Sequence, residues 1–96
     1  MAETIDELTV EWEDDGVVKI KELDKQVLSK GAWTTIVYKY QDLDRKTDDY
    51  GPPKATIRRY RKVKGVYREQ SKFNVSSAKQ ARALVEILAE WFGEDA

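Results

Sequence analysis

The stretch KATIRRYRKVKGVYREQSK, residues 54–72, decides how this chain is read. It holds eight basic residues, Lys54, Arg58, Arg59, Arg61, Lys62, Lys64, Arg68 and Lys72, against a single acid, Glu69. Ile57, Arg59, Arg61 and Val63 alternate with Thr56, Arg58, Tyr60 and Lys62, and a period of two marks a β-strand rather than a helix. Lys64-Gly65 supplies a tight turn. A second strand then runs from Val66 to Val75, so the segment reads as a basic β-hairpin. Tyr60 and Tyr67 are interleaved with its cations. Cations neutralise phosphates and rings stack on unpaired bases, so such a surface meets both needs of a single-stranded nucleic-acid site.

Upstream, WTTIVYKY (residues 33–40) is almost wholly β-branched and aromatic, and predicts a strand. Trp33, Thr35, Val37 and Lys39 share one side of it. Thr34, Ile36, Tyr38 and Tyr40 share the other. Before it, VVKIKELDKQVLS (17–29) alternates, loses parity near Glu22-Leu23 as at a bulge, and ends at a Lys30-Gly31 turn. Residues 41–53 are polar and close on Gly51-Pro52-Pro53, which cannot continue a central strand; they predict a long exposed loop. Downstream, Ser77-x-x-Gln80 fits a capping box. Ala81, Leu84, Val85, Leu88, Trp91 and Phe92 then recur at helical spacing up to Gly93, a natural stop. This stripe is expected to pack on the sheet, while Ile87 and Trp91 widen it enough to meet a partner helix. The fold class is therefore α+β: a curved four-stranded antiparallel sheet followed by one C-terminal helix.

Charge divides the chain. Residues 1–16 carry seven acids and no base, residues 17–75 a net +8, and residues 76–96 a net −2, so the overall −1 conceals strong polarity. The division predicts a flexible acidic lead over 1–16, with a short edge strand from the alternation of Leu8, Val10 and Trp12 as the alternative, one binding domain over 17–93 and a short tail over 94–96. Ninety-six residues allow a single small core. No apolar run is long enough for a bilayer, and the start lacks the basic and apolar regions of a signal peptide. The chain has no cysteine and no histidine. Disulfides, thiolate metal sites and the commonest general base are thereby removed. A cytoplasmic binding protein is expected, with no catalytic residues, metal, cofactor, small-molecule substrate or membrane contact. Asp14-Asp15 and Asp48-Asp49 lack the pattern of a calcium loop and read as solvated charge.

Several segments together resemble the positive cofactor four-like family of single-stranded DNA-binding domains, in particular its bacterial, transcriptional coactivator-like branch. They are Val27-Leu28-Ser29 followed by Trp33, then Thr56-Ile57-Arg58-Arg59-Tyr60, then Lys72-Phe73-Asn74-Val75-Ser76 leading into the helix. Pur-alpha and Whirly domains have related layouts. The resemblance implies a curved sheet that binds single strands and a homodimer formed partly through the helices. Tyr60 departs from the tryptophan usual there in the bacterial branch, and the acidic lead is unusual.

The expected function is binding of single-stranded DNA or RNA with little sequence preference, in transcription or in replication and repair. The alternative is an interaction module whose basic hairpin docks an acidic partner. The candidate contacts are Lys39, Lys54, Arg58, Arg59, Arg61, Lys62, Lys64, Arg68 and Lys72 for phosphates. Tyr60, Tyr38, Tyr40 and Trp33 are the candidates for bases, with core or cross-strand packing the competing role for each. Arginine outnumbers what edge protection requires, since edges are usually guarded by lysine, whereas a guanidinium offers planar phosphate recognition. Ile87 and Trp91 are the candidate dimer contacts.

Overall fold

A computed structural model describes residues 3–93; the first two residues and the expected 94–96 tail lie outside the described residues. Strands run over Trp12–Asp14 (β1), Val17–Ser29 (β2), Trp33–Asp44 (β3), Asp49–Tyr50 (β4), Lys54–Val63 (β5) and Val66–Val75 (β6), followed by helix α1 over Ala78–Phe92. The protein is thus an α+β fold: a curved antiparallel sheet and one C-terminal helix. Five strands lie in the order β1-β2-β3-β5-β6, and β4 pairs with the end of β3.

The extra strand comes from the lead. Asp15 (φ 54°) and Gly16 (φ 78°) form a two-residue turn that folds β1 back on β2. Both positions require positive φ, which Asp-Gly accepts at low cost. Ahead of β1, residues Ile5–Glu7 form one 3-10 turn. Leu8 and Val10 are each only 7% exposed and pack against Ile36, Tyr38 and Tyr60. Burying each such side chain contributes about 1.5–3 kcal/mol. The lead, expected to be detached, instead closes one side of the sheet.

The expected bulge near Leu23 is present, between Glu22 and Asp24, and a further irregularity follows between Val27 and Ser29. β3 continues to Asp44, past the expected end at Tyr40. The predicted long loop is accordingly shorter and tied down. Gly51 N–H donates to Asp42 O (2.9 Å), Gln41 Nε2 to Gly51 O (3.0 Å) and the Tyr50 hydroxyl to Val18 O (2.9 Å).

α1 corrects the expectation of a core helix. Ser77 caps it, accepting from Gln80 N–H at 3.1 Å, and Gly93 ends it. Yet none of its residues is buried. Ala81 and Leu84 are half-buried, whereas Val85, Ile87, Leu88, Trp91 and Phe92 are exposed. The helix leans on the end of β6 and projects from there. The radius of gyration, 15.3 Å, exceeds the roughly 12.5 Å of a compact chain of this length. Leu8 and Val10 already fill the surface over Tyr38 and Tyr60, so that face leaves the helix no room. Beneath the start of α1 an open groove of about 610 Å³ remains, lined by Val37, Ala55, Val75 and Ala81 among others.

Candidate nucleic-acid interface

Residues opposite one another in an antiparallel ladder share a face, so the register sorts the candidate contacts. Trp33 pairs with Arg61, Thr35 with Arg59 and Val37 with Ile57. Across the next ladder, Arg61 pairs with Arg68, Arg59 with Ser71 and Ile57 with Phe73. Together with Lys39, these residues form a tryptophan face. Thr34 pairs with Tyr60, Ile36 with Arg58 and Tyr38 with Thr56. Arg58 continues to Lys72, Tyr60 to Glu69 and Lys62 to Tyr67. These residues, with Tyr40, form a tyrosine face.

One irregularity makes the sorting differ from simple alternation. The register shifts between Arg59 and Tyr60, where Gln70 is the extra residue on β6. Tyr67 would otherwise share a side with Phe73, and Arg68 with Lys72. The extra residue moves Tyr67 beneath Lys62, whose Nζ lies 5.2 Å from the ring centroid. It moves Arg68 beside Arg61. The sequence placed a bulge in β2 but none here.

The tryptophan face carries the exposed chemistry. The Trp33 ring is 40% exposed. The guanidinium of Arg59 lies 4.3 Å from its centroid and that of Arg61 lies 5.4 Å away. A stacking surface and two planar phosphate donors therefore sit within one side-chain cluster. Arg68 and Lys39 are exposed on the same side, as is Phe73 at 54%.

The tyrosine face is mostly occupied. Tyr38 is fully buried and Tyr60 is 5% exposed. Their hydroxyls hydrogen-bond to each other at 3.0 Å. Burial raises both phenol pKa values above the ordinary tyrosine range, because a buried phenolate would lose its hydration. Neither ring is open to a base, so the expectation of stacking at Tyr38 and Tyr60 is corrected: both are core. Tyr40 is half-buried against the same cluster. Arg58 donates from Nη1 to Glu69 Oε1 at 2.8 Å and is half-buried. Lys62 and Lys72 are exposed.

Two further candidates are set apart. Lys54 is held by Asp42 at 2.9 Å, a pairing that raises its pKa and commits its ammonium. Lys64 stands in the β5–β6 turn with φ 53°. Ile87 (43% exposed) and Trp91 (72%) lie on the uncovered part of α1.

The main contact absent from the sequence reading is Lys25. Its Nζ donates to Ile5 O (2.5 Å) and Leu8 O (2.7 Å), fixing the lead over the tyrosines. No group of three or more metal-ligating side chains converges among the described residues. No described helix is long and apolar enough to cross a membrane. Comparison with protein-family models, with curated proteins and with solved structures gives no match.

Proposed function

We propose that this chain is a single-stranded nucleic-acid-binding domain that acts as a pair of identical copies. The carrying observation is the exposed indole of Trp33 with the guanidiniums of Arg59 and Arg61 over its ring. A base stacks on the indole or on a guanidinium plane, and the neighbouring phosphates take the arginines' outer donors. Arg68 and Lys39 extend the positive track on the same side. Stacking and phosphate contacts carry no sequence information of their own, so the binding is expected to tolerate any sequence. The segment resemblance to positive cofactor four-like domains supports the same ligand class and a role in transcription or in replication and repair.

Pairing of two copies is supported by two uncovered apolar surfaces in one chain. An isolated helix of fifteen residues is marginal in water unless its apolar side is packed. Val85, Leu88, Trp91 and Phe92 have no cover among the described residues. The groove by Val37, Ala55 and Val75 has none either. A two-fold exchange satisfies both surfaces at once, because each copy offers what the other lacks.

A fluorescence-anisotropy titration tests the binding reading. Single-stranded DNA, single-stranded RNA and duplex are compared, with heparin as competitor. Stacking predicts that oligo-dT resists heparin beyond what its charge accounts for. Displacement by heparin in simple proportion to charge would favour docking of an acidic protein partner instead.

A further inference from the structure

Residues 3–11 cross the tyrosine face without a main-chain hydrogen bond to it. The backbone bonds in this stretch are local, Glu7 N–H to Thr4 O and Leu8 N–H to Ile5 O. Side chains make every attachment. Leu8 and Val10 are buried against the ring cluster. Lys25 Nζ holds two lead carbonyls. Thr9 Oγ1 donates to Glu22 Oε1 (2.6 Å), and Glu22 N–H donates to Glu11 Oε1 (3.2 Å). The segment can therefore leave without breaking any rung of the ladders β2-β3-β5-β6.

What lies beneath is chemically a second version of the proposed binding surface. Tyr38, Tyr40, Tyr60 and Tyr67 belong to one cluster, and Arg58 and Lys72 line a recess of about 170 Å³ at its edge, walled by Val10. The lead's own charge is uncompensated there. The two ion pairs among the described residues are Lys54–Asp42 and Arg58–Glu69, and neither involves a lead carboxylate. A strap bearing four acids, Glu3, Asp6, Glu7 and Glu11, thus lies over rings and cations while its carboxylates repel any approaching phosphate. On Lys25, two carbonyl oxygens take the donors that a phosphate would take.

We propose that the acidic lead is a displaceable strap, clasped by Lys25, that masks a second single-strand-binding surface on the tyrosine face. This inference rests on the nucleic-acid reading above. A strand first held at Trp33, Arg59 and Arg61 extends to the tyrosine face only when the lead leaves. The closed strap lowers apparent affinity by the fraction of molecules that are open.

The test uses the full chain and oligo-dT at low salt, with the methyl resonances of Leu8 and Val10 as reporters. Packed among aromatic rings, these methyls are shifted from their free-chain positions. The proposal expects them to move to free-chain values as oligo-dT saturates the protein, while Ile36 stays folded. The variant Leu8→Ser, which loosens the strap, should bind oligo-dT about tenfold more tightly. Its salt dependence should steepen as Arg58 and Lys72 join. Should the variant not fold, the wild-type methyl titration decides alone. Oligo-dT binding that leaves both methyls in place overturns the strap and leaves the tryptophan-face reading intact. Failure of oligo-dT to bind the wild type at low salt overturns the nucleic-acid reading, and the strap with it.

Discussion

The hydroxyls of Tyr38 and Tyr60 meet at 3.0 Å in the centre of the protein, on neighbouring strands and beneath Leu8 and Val10. One donates and the other accepts, so each buried phenol oxygen has a partner. Removing one hydroxyl strands its neighbour. Tyr38→Phe or Tyr60→Phe alone should each cost about 1–3 kcal/mol of stability, and the double phenylalanine variant less than the sum. Urea unfolding of all four proteins gives the coupling directly.

The same pair sets an alkaline limit. Both phenols have pKa values raised by burial above the unfolded value of about 10. Above that pH the unfolded chain releases protons that the folded chain retains. The unfolded state then binds fewer protons, so stability falls as pH rises. The contribution is intact below about pH 9 and is lost progressively from about pH 10 upward. Thermal melts across this range should show the decline, and the double phenylalanine variant should show a shallower one.

Rings and charges are separable on the tryptophan face. Trp33→Ala should lose about 1–3 kcal/mol of single-strand binding with little change in salt slope. Replacing Arg59 and Arg61 together by alanine should flatten the slope by about 1.4, if each neutralises one phosphate. Tyr60→Ala should instead lower the melting temperature. Anisotropy titrations at several salt concentrations, paired with circular dichroism, distinguish the three. Unchanged affinity in the double arginine variant would remove this face from the interface.

Leu8 and Trp91 make opposite predictions for stability and assembly. Leu8→Ala should weaken the packing of the lead on Tyr38 and Tyr60 by about 2–5 kcal/mol, because its side chain fills volume there. Trp91→Ser should leave the sheet's secondary structure intact and separate the copies. Sedimentation at micromolar concentration is expected to give twice the 11.1 kDa chain mass for the wild type and a single chain mass for the variant. A wild-type monomer would leave α1 without its proposed cover.

Much of this architecture was legible in the sequence, for identifiable reasons. β2, β3, β5 and β6 follow from β-branched alternation between turn residues, and the Ser77 cap and Gly93 stop follow from helix-end chemistry. The lead misled because its composition is that of a solvated segment. The signal was nonetheless there: Asp15-Gly16 is a hairpin dipeptide, and Leu8 and Val10 are apolar at a spacing of two. Alternation also put Tyr60 on one face with Arg58 and Lys62, which is correct, but alternation cannot say what covers that face. An amphipathic stripe likewise announces that α1 needs a partner surface and not whose surface it is.

Gln70 gives the register break a consequence of its own. The residue contributes nothing to either face that its identity explains; what matters is that it occupies a place in the count. Were Gln70 paired in a regular ladder instead of bulged, everything from Val66 to Glu69 would turn over: Tyr67 would join the indole and Arg68 would turn toward the tyrosines. The allocation of cations between the two sides of the sheet is therefore set by whether one residue bulges or pairs. Deleting Gln70 would straighten β6 and keep that allocation, because Glu69 and Ser71 would then alternate regularly with their present partners Tyr60 and Arg59.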